Sequence, residues 1–210
     1  MSTMTAVVSP KFVSPHPLDL TIVRTGFFPT NGYFDVTDSQ RSLLFEVEDR
    51  RLFTVSDLCV ILDAKRSPVV TIRKKFWTMH STWEVFKGES SYETNLLFSI
   101  KRTSIFQTKT KLQVFLATNK DENVCDYNVQ GSWLNGTCAV YAGQSSNIVA
   151  QMHKRKFTLK NILFWNNKFK VTVYPNTDYC LITSIFIIID AIINSTSSTP
   201  PPMIMESTLL

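Results

Sequence analysis

The stretch YCLITSIFIIIDAII, residues 179–193, decides the fold. It is the most hydrophobic segment of the chain, and its one charged residue is Asp190. A membrane-spanning helix needs about 20 apolar residues, with ~17 as a lower bound. This run is shorter, and a carboxylate within lipid is costly. A buried core segment is therefore the preferred assignment, with a tail anchor as the alternative. Isoleucine favours strands by propensity. Yet about 15 residues that are apolar nearly all round exceed one strand and suit a helix buried on every face.

Such a helix needs an enclosure, and the sequence before it supplies strands. Eleven short runs of strand character lie between Tyr33 and Tyr174, among them YFDV (33–36), LCVILD (58–63), PVVTIRKK (68–75), TWEVF (82–86) and KFKVTVYP (168–175). Many alternate polar with apolar: Trp83 and Val85 face one way, Glu84 and Phe86 the other. Turn residues separate the runs, for example Asn119 to Asn123, and Asn135-Gly136, where both residues tolerate positive φ. This pattern predicts an all-β sandwich or barrel. An internal repeat refines it. FEV (45–47), VILDA (60–64), PVVTIRKK (68–75) and TWEVFKG (82–88) are matched in order by YNV (127–129), AVYAG (139–143), NIVAQMHKRK (147–156) and FKVTVYP (169–175), about 80 residues later. Two similar halves suggest one closed barrel. A wide barrel leaves a lumen, and the Ile-rich helix would fill it.

Composition agrees. The 210 residues are 44% hydrophobic and 19% charged, which excludes wholesale disorder, a state that needs few apolar groups and much charge. The length fits one domain. The expected organisation is an extended N-terminal segment over 1–20, a barrel domain over 21–193 that includes the helix, and a disordered tail over 194–210. The tail has three consecutive prolines, many Ser/Thr, and Glu206 as its one charge. The first 30 residues show no basic start followed by an apolar run, so an intracellular protein is expected. Asn135 and Asn194 then head chance glycosylation motifs. Cys59, Cys125, Cys138 and Cys180 show no Cys-x-x-Cys spacing, and His16, His80 and His153 sit beside none of them; they read as reduced, mostly buried thiols.

No catalytic signature is present. The six glycines form no phosphate-binding loop, and no Gly-x-Ser-x-Gly elbow occurs. Glu46 with Glu48, and Asp121 with Glu122, read as solvated carboxylates. No catalytic, metal or cofactor residues are assigned. The uneven feature is charge: a formal +5, concentrated in acid-free segments. Lys65, Arg66, Arg73, Lys74 and Lys75 form one, Lys101, Arg102, Lys109 and Lys111 a second, and Lys154, Arg155, Lys156 and Lys160 a third. If strands bring these together, they form a candidate site for anionic lipid headgroups, with Arg73, Lys74, Lys75, Lys101, Arg102, Lys154, Arg155 and Lys156 assigned to it. The alternatives are a solvated rim that blunts strand ends and, less favoured, nucleic acid. Phe76-Trp77 and Phe164-Trp165 read as aromatics capping the barrel core.

The segments VILDAKRSPVVTIRKK (60–75), MHSTWEVFKGES (79–90), LLFSIKRTSIFQTKTKLQVFLATNKDENVCDYNVQGSW (96–133), TCAVYAGQSSNIVAQMHKRK (137–156) and KVTVYPNTDYCLITSIFIIIDAI (170–192), with PLDLTIVR (17–24) as an opening, resemble the plant LURP-one-related family. The resemblance covers about residues 11–193. It implies a mainly β fold: a closed antiparallel barrel of about twelve strands around a hydrophobic C-terminal helix, similar to the Tubby C-terminal domain and to phospholipid scramblases. It also implies a non-enzymatic, monomeric, membrane-tethered regulator that binds phosphoinositides and is linked to plant defence. Such a protein would work in the cytoplasm, peripherally at the plasma membrane, or in the nucleus, without a transmembrane span. The alternative is a protein–protein interaction module in defence signalling with partners of unknown identity. One departure concerns the turn after Asp63: the family usually places a glycine there, and this chain has Ala64-Lys65-Arg66.

Overall fold

A computed structural model describes residues 6–25, 33–49, 58–75, 82–103, 110–133, 137–153 and 168–197. Twelve strands form one closed antiparallel barrel: β1 Leu18–Thr25, β2 Tyr33–Thr37, β3 Leu43–Asp49, β4 Leu58–Asp63, β5 Pro68–Lys75, β6 Thr82–Lys87, β7 Leu96–Arg102, β8 Thr110–Leu116, β9 Tyr127–Gly131, β10 Ala139–Ala142, β11 Ile148–His153 and β12 Lys168–Val173. Each strand pairs with its neighbour in sequence, and β1 closes the ring against β12, with Leu18 opposite Val173. A single helix, α1 Tyr179–Ser197, follows.

The repeat is real at the level of strands. The matched runs are β3 to β6 and β9 to β12, six strands apart, so they face each other across the twelve-stranded ring. The strand absent from the sequence scan is β1. It lies partly in the segment assigned as extended, and it is the strand that closes the barrel.

Alternation sorts each strand. Leu20, Ile22, Val36, Phe45, Val70, Ile72, Val85, Phe98, Ile100, Val114, Val129 and Val171 point inward onto α1. Within the helix Leu181, Ile182, Ile185, Phe186, Ile187, Ile188 and Ile189 are 0–3% exposed. Burial of seven such side chains contributes roughly 10–20 kcal/mol before ordering costs, at ~1.5–3 kcal/mol each. The two buried hydroxyls on the helix donate back to it: Thr183 Oγ1 to Tyr179 O and Ser184 Oγ to Cys180 O, both 2.8 Å. They therefore enter the core without an unpaired donor. The helix extends to Ser197, past the 193 boundary read from the sequence. The remainder of the tail, 198–210, lies outside the described residues.

The two barrel ends differ. At the end where α1 enters, Phe12 stacks edge-on against Phe45 (5.2 Å) and Tyr179 (5.4 Å), so the N-terminal segment plugs the barrel. Asp178 joins the two chain ends there. Its Oδ1 caps the helix, accepting from Cys180 N (2.9 Å) and Leu181 N (3.2 Å). Its Oδ2 accepts from Val7 N (3.1 Å), Val8 N (2.7 Å) and Ser9 N (3.3 Å). Burial pushes this carboxyl's pKa up, against the N–H groups that favour its charged form. The Asp63 turn also lies at this end. Arg66 adopts the left-handed backbone at φ 61°, and its guanidinium pairs with Glu46 and Glu48, which are thus ion-paired and not simply solvated.

Candidate functional site

The opposite end carries the charge. Odd-numbered strands run toward it, and so does α1. Arg73, Lys74 and Lys75 end β5, and Lys101 with Arg102 ends β7. Lys154, Arg155 and Lys156 lie outside the described residues; they follow His153, the last residue of β11, directly. Two of the three basic segments thus finish strands at one end of the barrel, and the third continues a strand that finishes there. Lys65 and Arg66 sit in the β4–β5 turn at the opposite end, so the basic run over 65–75 is divided between the two ends of the barrel. Phe76-Trp77, Asn135-Gly136 and Phe164-Trp165 also lie outside the described residues.

Strand alternation divides the described candidates into two sets. Arg73, Lys75 and Lys101 lie on the outer wall. There Arg73 Nη2 (2.7 Å) and Lys75 Nζ (3.1 Å) clamp the two oxygens of Glu84, whose side chain is 8% exposed. Burial alone would push the Glu84 carboxyl up. The hydrogen bonds from Arg73 and Lys75 outweigh it and hold the pKa below its ordinary value. Arg73 also covers the ring of Phe86 at 4.8 Å, which leaves that outward-facing phenylalanine fully buried. Lys101 pairs with Glu122 and lies 5.2 Å from the Phe115 ring centroid. The outer cations are therefore largely matched by acids.

Lys74 and Arg102 belong to the inner set. Lys74 alternates with the core residues Val70 and Ile72 and pairs across strands with Trp83; its ammonium lies 5.9 Å from the indole centroid. Arg102 follows Ile100 on the inner face, opposite Leu112. On the far side of the same mouth Arg24, an inward residue of β1, pairs with Asp190 of α1 and covers Phe34 at 5.0 Å. That ion pair explains how the helix carries its single charge inside the barrel. Sequence reasoning missed Arg24 and Glu84. The available signal was alternation: Arg24 shares parity with Leu20 and Ile22, and Glu84 with Phe86.

Outward-facing charges such as Glu46, Arg73, Lys101, Lys168 and Lys170 also define the wall. A lipid-facing barrel carries an apolar outer band. Here most apolar residues of the described strands face in, and the outward-facing Phe86 lies under Arg73. Among the described residues no helix is long and apolar enough to cross a membrane, and no cluster of three or more His, Cys, Asp or Glu side chains is arranged to hold a metal ion.

The class is thus defined by its geometry: a twelve-stranded up-and-down barrel wound around its own C-terminal helix, with a basic mouth. The family model described as LURP-one-related matches residues 18–190. The chain is 48% identical to Protein LURP-one-related 15 of Arabidopsis thaliana, over 88% of this chain and 84% of the relative. It is 46% identical to Protein LURP-one-related 10 of the same plant, over 89% of this chain and 96% of the relative. An X-ray structure of an Arabidopsis thaliana protein superposes with a TM-score of 0.69 at 41% identity, covering 89% of this chain and 98% of that one. The chain belongs to the LURP-one-related family.

Proposed function

We propose that this chain is a non-enzymatic, monomeric regulator in plant defence that docks peripherally on the cytoplasmic face of a membrane and binds phosphoinositide headgroups through the basic mouth of its barrel. The observation that supports it is the convergence of basic segments, remote in sequence, on one barrel end. Each basic residue near an anionic leaflet contributes about 1 kcal/mol, less where an acid already neutralises it. Arg73, Lys75 and Lys101 are so discounted. Flotation with liposomes at physiological salt, with and without phosphatidylinositol bisphosphate, tests the proposal. Binding that requires the phosphoinositide and falls on joint charge reversal of Arg73, Lys74 and Lys75 supports it. Equal flotation on both liposomes, or none, removes it. A protein partner that binds wild type and charge-reversed chain alike would instead favour an interaction module without a lipid role.

A further inference from the structure

The loop between β6 and β7 leaves the barrel at Gly88, whose N–H donates to Val69 O at 2.8 Å, and residues 91–95 are exposed. Tyr92 is 75% exposed, so its ring does little to hold the loop against the wall. Segments with few buried contacts open locally at low cost. Ser90 begins this stretch, and the exposed Glu93 follows it by three residues. Ser90 Oγ accepts from Asn95 Nδ2 (2.8 Å) and Tyr92 N (3.3 Å).

The loop is also tied to the Glu84 clamp. Arg73 and Lys75 bring two positive charges to one carboxylate, a local surplus of 2 − 1 = +1. Arg73 divides its guanidinium: Nη2 holds Glu84 at 2.7 Å, while Nη1 donates to Ser91 O at 3.4 Å. The second bond is long and its acceptor is neutral, so it is weak. A phosphate one residue away, carrying about −1.5 to −2 charge, would replace that carbonyl at Nη1. Glu84 keeps Nη2 and Lys75, because the exchange takes only the weaker bond; a charge-assisted bond is roughly twice as strong as a neutral one.

We infer that Ser90 is a phosphorylation site for an acid-directed protein kinase that reads Glu93, and that its phosphate is held by Arg73 Nη1 and the Asn95 amide, clasping the loop to the outer wall of β5. The γ-phosphoryl of a nucleoside triphosphate passes to Ser90 Oγ. The bond from Pγ to the bridging oxygen breaks, the bond from Pγ to Oγ forms, the hydroxyl proton goes to a base of the kinase, and the nucleoside diphosphate leaves. The site does not depend on lipid binding.

The test treats the full chain with magnesium-ATP and an acid-directed kinase of the casein kinase II type. Phosphopeptide mapping locates the modified residue, and phosphorus NMR follows the phosphate's second ionisation. The expected result is phosphate on Ser90, incorporated at least about ten-fold more slowly in Glu93→Gln. Its second pKa should lie below the ordinary value of about 6 and return toward it in Arg73→Gln, since a cation favours the dianion. Should Arg73→Gln fail to fold, Asn95→Ala, at an exposed position, reads the same return. Thr118, three residues before Asp121, is the internal comparison. Phosphate placed there in preference to Ser90, no incorporation at Ser90, or a rate indifferent to Glu93→Gln overturns the site. A Ser90 phosphate that titrates at or above about 6, or alike in wild type and variant, overturns the clasp.

Discussion

Replacing Asp178 by alanine should unfasten both chain ends at once. Cys180 and Leu181 are fully buried, so their N–H groups lose an acceptor that water cannot replace; at ~1–3 kcal/mol per unsatisfied donor, this costs about 2–6 kcal/mol. Val7, Val8 and Ser9 are only partly buried, so their N–H groups can rehydrate when the segment peels away. Their loss costs about 0.5–1.5 kcal/mol each. The sum is on the order of 4–10 kcal/mol, a large part of the ~5–15 kcal/mol that holds a domain together. For a chain of this size that lowers the melting temperature by roughly 10–40 °C. Asp178→Asn should cost less, about 1–3 kcal/mol, because its amide oxygen still caps the helix while its NH₂ opposes the donors of residues 7–9. Thermal and urea unfolding followed by circular dichroism measure both. A double-mutant cycle separates the two roles: with residues 1–9 removed, most of the Asp178→Asn penalty should vanish, giving a coupling energy of at least about 1.5 kcal/mol. Additive effects, or an alanine variant within about 1 kcal/mol of wild type, would refute the joint role.

Ile187→Asp places an unpaired carboxylate against the barrel wall from a position 3% exposed, and should abolish cooperative unfolding and soluble expression; a folded, soluble variant would show that the helix is not the core. Glu84 has a folded pKa below its ordinary 4.5, so its ionised form stabilises the fold above about that pH and the contribution is lost as pH falls through the lowered value. The melting-temperature gap between wild type and Glu84→Gln should therefore be widest near neutrality and narrow as pH falls below the ordinary 4.5. Gly131→Ala sets a Cβ 2.1 Å from the Thr137 carbonyl oxygen at φ +137° and should cost at least about 3 kcal/mol, whereas Gly88→Ala meets open space and should cost about 1–2 kcal/mol; calorimetry compares them directly. Arg66→Gly relieves a left-handed backbone while giving up two exposed ion pairs, and should stay within about 1 kcal/mol of wild type in the same measurement.

The barrel was legible because its two periods are clean. Alternation of the Trp83-Glu84-Val85-Phe86 kind marks strands, and the isotropic greasiness of 179–193 marks what they enclose. β1 escaped because Pro15 and Pro17 precede it and because nothing local tells a closing strand from an extended arm; only its partner β12, remote in sequence, makes it one. Arg66 shows the limit of composition. A side chain with acids on the neighbouring strand can occupy a glycine's conformation. At the mouth, the clusters were visible as charge, but their division was not. Whether a lysine meets Glu84 outside or Trp83 inside depends on strand parity and register, and one residue of slip exchanges the two sets.

The segment at the centre of this molecule is translated after every strand that surrounds it. Every strand has left the ribosome's active centre before residue 179 is added, and β1 waits as an open edge until β12, whose Val173 lies opposite Leu18, arrives. Until then the nascent chain is a curled meander with an apolar hollow, the kind of surface chaperones hold. A message truncated just before codon 179 would yield all twelve strands without the helix that fills them.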